Sequence, residues 1–264
     1  MERIIDDPNA VAKLAAQMQS ASTTEVPTEL NKFNNMVDLP GGYIHNNILI
    51  KEAEVRELVG ADEEIIAKAS DSTKALLTIL KRGLVSIGGI TPNDIMLDSL
   101  LAGDRDAILL GIYKATFGSE VTYAVNCTGC GVLVAGGLDL NEDVSTKTLD
   151  DPINDRDFSV ETKLGMVSLT LPNGITQKRL MENQSSNMAE NVTLILSGCI
   201  YALNNEPVVG VNISRQLGLA DRGKLITEIY NRTPGPRLGE VSKVCEACGS
   251  DYSVPLSLAS LFRI

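Results

Sequence analysis

The sequence has no tryptophan, a single histidine and only 4% aromatic residues. One histidine, His45, excludes the catalytic zinc sets that need more than one imidazole. No run of about 18 apolar residues occurs, so no transmembrane helix is expected. Basic charge is also scarce: 23 Lys+Arg face 34 Asp+Glu, for a formal charge of −11, and no Lys/Arg-rich stretch offsets it. Such a balance argues against nucleic acid and anionic membrane as partners, since both need a cationic footprint. G-x-S-x-G, G-x-x-x-x-G-K-[ST] and G-x-G-x-x-G are all absent, so hydrolase, nucleotide and dinucleotide readings lack their anchors, and no enzyme is expected. The N-terminus, MERIIDDPNA, carries acids where a signal peptide needs a basic start and an apolar stretch. A soluble, intracellular protein is therefore expected, its five cysteines in a reducing compartment where metal binding or chemistry outweighs structural disulfides.

What is present is an ordinary globular composition, 44% hydrophobic and 22% charged over 264 residues. Residues 1–38 read as an N-terminal arm. Val11, Leu14, Ala15 and Met18 fall at helical spacing, and the polar stretch 20–35 has too little apolar surface to offset its ordering entropy. From residue 39 the chain repeats itself. ILKRGLVSIGG (79–89) aligns with ILSGCIYALNN (195–205) at an offset of 116. GDRDAILLGIYKATFG (103–118) aligns with ADRGKLITEIYNRTPG (220–235) at 117, and Cys127 and Cys130 recur as Cys245 and Cys248 at 118. An offset that drifts by one residue per connection is the mark of a duplicated unit. The acidic, turn-rich stretch 141–157 divides a first repeat, 39–150, from a second, 151–264.

Periodicity gives the unit an α+β form. A helix is expected from Ser72 to Val85, capped by Gly88-Gly89. A second helix is expected to start at Asp104 as its cap, with Ile108, Leu109, Ile112 and Tyr113 as its apolar stripe, matched by Leu225, Ile226, Ile229 and Tyr230. Both tyrosines read as core. Short strands are expected at 48–50 and 167–171. Alternation at Val121, Tyr123 and Val125, then Val132 and Val134, predicts a β-hairpin, with a second one around Val241, Val244, Tyr252, Val254 and Leu256.

Each hairpin tip reads Cys-x-x-Cys-Gly, at Cys127–Gly131 and Cys245–Gly249. Two intervening residues let a tight turn aim both sulfurs at one point, and the glycine permits positive φ. Two such knuckles supply the four thiolates of a structural zinc site, with no position open for water. Because 114 residues separate Cys130 from Cys245, one site requires the repeats to meet hairpin to hairpin about a pseudo-twofold axis. Half-sites completed by other chains, and metal-free cysteine pairs, are the alternatives. Thioredoxin-like chemistry is disfavoured because neither pair opens a helix. Cys199 reads as a small buried apolar residue, Asp62-Glu63-Glu64 as acids opening a helix, and Asp104-Arg105 and Asp221-Arg222 as cap plus surface salt bridge, with contact to a partner subunit the sharper alternative.

Taken together, REL-x-G-ADEE (56–64), LTILKRGLVSIGG (77–89), LLAGDRDAILLGIYKATFG (100–118) and C-x-x-C-G (127–131), followed by a looser copy ending in C-x-x-C-G (245–249) and SVPLSLASLF (253–262), resemble the baseplate hub assembly chaperones of contractile-tailed, T-even type bacteriophages. Proline after the first cysteine, frequent in that family, is replaced here by Thr128 and Glu246; only the sulfurs bind, so the ligand set is unaffected. The resemblance covers about 39–262 and implies a non-enzymatic role in building the tail baseplate, with the hub and tape-measure proteins as partners. It also implies a location in the host cytoplasm during assembly or in the virion tail, with room for a homo-oligomer in the baseplate. An unrelated zinc-dependent adaptor, never part of a virion, is the competing reading.

Overall fold

The computed structural model describes residues 35–183 and 187–264. The helix expected over 11–18 lies outside them. In chain order the first half contains β1 (Asn35–His45), β2 (Ile48–Val55), α1 (Gly60–Ile66), α2 (Ser72–Gly83), β3 (Leu84–Ile87), α3 (Asp94–Ser99), α4 (Ala102–Phe117), β4 (Glu120–Asn126), β5 (Leu133–Asp139) and β6 (Thr146–Lys147). The second contains β7 (Asp157–Thr162), β8 (Gly165–Thr170), α5 (Gly174–Glu182), α6 (Met188–Cys199), β9 (Ile200–Leu203), β10 (Glu206–Pro207), α7 (Gly210–Gln216), α8 (Leu219–Arg232), β11 (Gly235–Pro236), β12 (Gly239–Val244), β13 (Asp251–Leu256) and α9 (Leu258–Phe262). This is a mixed helix-and-sheet architecture, with every strand pair antiparallel.

The order strand, strand, helix, helix, strand, helix, helix, strand, strand occurs twice, interrupted in the second half only by the two-residue strands β10 and β11. One three-stranded sheet runs β1-β2-β3 and one four-stranded sheet β10-β9-β8-β7. Detail recurs as well. β3 pairs with β2 as Ala53↔Ile87 and Glu54↔Ser86, with a bulge before Val55. β9 pairs with β8 as Val167↔Leu203 and Ser168↔Ala202, with a bulge before Leu169.

Several expected boundaries move. β1 starts at Asn35, so the last residues of the presumed arm belong to the first sheet. The helix expected to reach Val85 stops at Gly83, where an added Cβ would lie 2.7 Å from Ile112. Leu84 is already extended, and Leu84–Ile87 pairs with β2 because β-branched and aliphatic side chains gain more from the sheet. Gly88 and Gly89, at φ +58° and +78°, therefore close a strand instead of capping a helix. Tyr113 is core, but Tyr230 is 61% exposed, with the Arg237 guanidinium over its ring. The difference has a cause: Tyr113 is covered by Phe262 of α9, edge-on at 5.4 Å.

That contact shows how the core is divided. Leu256, Leu258 and Leu261, from the end of the chain, are buried with Ile79, Leu80, Ile108 and Ile112 of the first half. A second cluster joins Val167, Leu169, Leu196, Leu225 and Ile229, and takes in Leu101 of the first half. Cys199 sits in it, 1% exposed, and burial pushes its thiol up to about 12.

The Asp-Arg motifs are not surface features. Asp104 lies inside the first turn of α4 and is fully buried. Its Oδ1 accepts the Gly41 N–H at 2.6 Å, where β1 breaks register between Asp38 and Tyr43. Arg156, from the second half, donates to the carbonyls of Gly41 and Gly42. The two side chains thus fasten the Gly-Gly bend from both halves. Burial raises the Asp104 carboxyl to about 7, against the pull of the Gly41 N–H, Arg156 and the Gly42 N–H. A carboxyl that titrates higher in the fold than in the open chain gives stability that is full below about pH 4 and lost as pH rises through about 7. The melting temperature is therefore expected to fall between pH 5 and pH 8 by an amount worth roughly 2 kcal/mol, and Asp104→Asn to flatten that slope. Thermal melts of both proteins across this range check it; equal slopes would remove Asp104 as the source.

Candidate metal centre

The two Cys-x-x-Cys segments join strands in matching ways. β4 and β5 pair up to Asn126↔Leu133, and β12 and β13 up to Val244↔Asp251. At the first tip the Cys127 N–H donates to Val132 O at 2.9 Å and the Gly131 N–H to Cys127 O at 2.8 Å. At the second, the Cys245 N–H donates to Ser250 O at 2.9 Å and the Gly249 N–H to Cys245 O at 2.7 Å. Gly131 and Gly249 have φ of +73° and +72°, the left-handed turn that a Cβ would strain. Each loop thus folds by local hydrogen bonding into a knuckle with both sulfurs on one side.

The tips face each other. All four Sγ atoms of Cys127, Cys130, Cys245 and Cys248 lie within 4.8 Å of one another. Two close contacts cross between hairpins: Cys127 to Cys248 at 3.7 Å and Cys130 to Cys245 at 3.9 Å. Exchanging the hairpins turns the first contact into the second, as a local twofold requires. Zn–S bonds of about 2.3 Å in a tetrahedron place neighbouring sulfurs about 3.8 Å apart, so this donor set fits a tetrahedral thiophilic ion. The five cysteines are free thiols. Cys127 and Cys245 are buried, whereas Cys130 and Cys248 reach the surface. Ser250, through its hydroxyl and N–H, and Cys130 hold the Cys248 thiol down at about 6. The Val132 N–H pulls Cys130 down too, but hydrogen bonding to Cys248, burial and the other two sulfurs push it up to about 12. A cation bound among these sulfurs would displace the thiol protons that remain, so its uptake would strengthen as pH rises.

Around the sulfurs the hairpins make a small core of their own. Cys127, Leu138, Cys245, Tyr252 and Val254 are buried together, with Tyr123 and Val241 against them. The Tyr123 and Tyr252 hydroxyls are 2.7 Å apart across the junction. A Cβ on Gly129 would lie 2.7 Å from Ser250 Oγ, so the knuckles approach closely. Lys243 on β12 pairs with Asp143 of the first half at 2.8 Å. Sequence reasoning missed the tyrosine bridge and Ser250. The available signal was placement: Tyr123 stands four residues before the first cysteine of one pair, and Tyr252 four after the last cysteine of the other.

The other candidate residues are not drawn into this site. His45 ends β1, stacked on Tyr43 at 6.1 Å between ring centroids. Asp62 is fully buried, which was not expected of a helix-opening acid. Arg56 grips it with two nitrogens at 2.8 and 3.1 Å, and Arg82 adds a third at 2.6 Å. Burial alone would raise its carboxyl, but Arg56, the Val59 N–H and Arg82 outweigh that and hold it at about 2. It is a structural hub.

A family model described as T4 bacteriophage base plate protein matches residues 42–208. The chain belongs to that family. No curated protein and no solved structure matches it. For this baseplate-family chain the matched span runs from within β1 to just past β10, and so includes Cys127 and Cys130 but ends before Cys245 and Cys248. No helix of the described residues is long and apolar enough to cross a membrane.

Proposed function

We propose that this baseplate protein is a non-catalytic adaptor of the tail hub, of the hub assembly chaperone type, built from a duplicated unit whose halves are clamped by one structural zinc. Hub and tape-measure proteins are its partners, and it acts in the host cytoplasm where the baseplate is put together. The observation that carries the reading is the convergence of four sulfurs from two hairpins 114 residues apart, in a chain of a baseplate family. Duplication is supported by the recurring element order and by the equivalent bulges in the two main sheets. Residues 39–150 and 151–264 are then the repeats. The clamp reading is supported by the sulfur geometry, which leaves no coordination position for substrate or water; Cys127, Cys130, Cys245 and Cys248 would hold the metal, and it would supply cross-linking in place of catalysis.

A rigid body with a closed metal site suits a part that must keep its shape while larger partners dock. The test is to mix the purified chain with the hub and tape-measure proteins of the same phage and measure mass during size-exclusion chromatography. A stable complex with at least one of them is expected. Binding to neither would overturn the adaptor role at the hub, while leaving family membership untouched.

A further inference from the structure

Arg105 and Arg222 occupy equivalent places, each directly after the aspartate in the first turn of α4 or α8. Arg222 is fully engaged: it donates to Ser214 O at 2.6 Å, and to Ala189 O and Thr193 Oγ1, each at 3.0 Å. Arg105 is only 6% exposed, yet its guanidinium makes no hydrogen bond and no ion pair among the described residues. Asp106 and Asp98 act on it through space alone, and Asp98 is already held by Lys178 at 3.8 Å. One part of the contrast has a sequence cause. The residue 116 positions before Thr193 is Leu77, so the hydroxyl that serves Arg222 is replaced by an aliphatic side chain in the first half.

Arg105 instead faces space. It lines a cavity of about 380 Å³ between α2, α4, α5 and α6, whose walls include Leu76, Leu77, Leu180, Met181 and Ile195. A smaller cavity of about 130 Å³ continues from it past Leu77 and Met181 to Lys81 and Lys178. A guanidinium stays charged at any accessible pH, and this one, deeply set and open only to the cavity, has solvent there in place of a protein partner. Its planar fork fits a carboxylate. Asp106 shares the cavity, so a dianion such as phosphate is disfavoured against a monoanion.

We propose that Arg105 is the anion receptor of a docking groove that takes an amphipathic helix from a partner protein, with an Asp or Glu carboxylate on Arg105 and an aliphatic anchor among the leucines. The walls argue for a helix. Thr73, Leu76 and Leu77 repeat at i, i+3 and i+4 along α2, and Gln177, Leu180 and Met181 at i, i+3 and i+4 along α5. Two such stripes flanking an open groove match helix-in-groove recognition. The proposal does not depend on where in the baseplate the protein sits.

The probe is a fluorescein-labelled, alanine-based helical peptide with leucines seven residues apart and a glutamate between them, compared with its glutamine isostere. In fluorescence anisotropy the glutamate peptide is expected to bind wild type about tenfold more tightly than the isostere, and that ratio to vanish in Arg105→Met. Leu77→Thr, which offers Arg105 the one side-chain acceptor among the three partners of Arg222, is expected to fold with an undiminished melting temperature and to bind the glutamate peptide several-fold more weakly. It keeps the test decisive if Arg105→Met fails to fold. Absence of binding, equal binding of the two peptides, or no effect of Leu77→Thr would overturn the site. Displacement of the peptide by octanoate at lower concentration than by unlabelled peptide would assign the cavity to free aliphatic acids and overturn the polypeptide assignment.

Discussion

Serine at Cys127 is expected to lower the melting temperature by roughly 10 °C, and serine at Cys245 by the same amount, because each opens the same four-sulfur shell. Structural zinc contributes on the order of 10 kcal/mol where it organises a whole peptide. Here the two larger hydrophobic clusters contain none of the four cysteines, so a loss of about 3–5 kcal/mol is the reasonable scale. The double variant should cost little more than either single one, since a shell already broken cannot be broken again. Differential scanning calorimetry on the three variants reads this directly. Unequal single effects, or additive ones, would mean that the two knuckles hold separate sites or none. The hairpins should loosen first on metal removal, since they share a small cluster of their own; amide exchange at Tyr123 and Tyr252 before and after chelation would follow it.

Gly103→Ala is expected to be as severe by a different route. In a helix this change normally gains up to about 1 kcal/mol. At Gly103, however, the added Cβ would fall inside the Pro234 carbonyl and 3.0 Å from the Gly235 Cα. Both obstacles are backbone, so no rotamer change relieves them. The halves touch here through two glycines, with Gly235 at φ +127°. A cost of 3 kcal/mol or more, about 6–12 °C for a domain of this size, is expected from such overpacking. Ala220, the residue at the same place in α8, is exposed, and Ala220→Gly should cost only the helix-propensity difference of about 1 kcal/mol. Thermal melts of the two variants side by side give the contrast; a melting temperature for Gly103→Ala at or above wild type would contradict the close packing of the halves.

How far the sequence could be read depended on the range of the interactions involved. The hairpins and their cysteines were legible because turn spacing, glycine placement and alternation act within a dozen residues. The apolar stripes of α4 and α8 were legible for the same reason, and the recurrence of whole blocks carried the order of elements. Helix ends were read less well: α2 stops at Gly83 because Leu84–Ile87 pairs with β2, a strand from well before the helix, and nothing near Gly83 in the chain says so. Asp104 looked like a cap because the local pattern permits one; its actual partner, Gly41, is 63 residues away. Tyr230 looked like Tyr113 by position, but the cover over Tyr113 comes from Phe262 at the far end of the chain. Within the candidate site the four cysteines were visible and the supporting contacts were not, since Ser250 and the Tyr123–Tyr252 pair matter only once the two tips meet.

X-ray absorption at the zinc edge, with elemental analysis on the same sample of purified full-length protein, tests the central claim most directly. One zinc per chain, surrounded by four sulfurs at about 2.3 Å, is the expected result. A metal-free protein of undiminished stability, or a zinc with fewer than four sulfur neighbours, would contradict it.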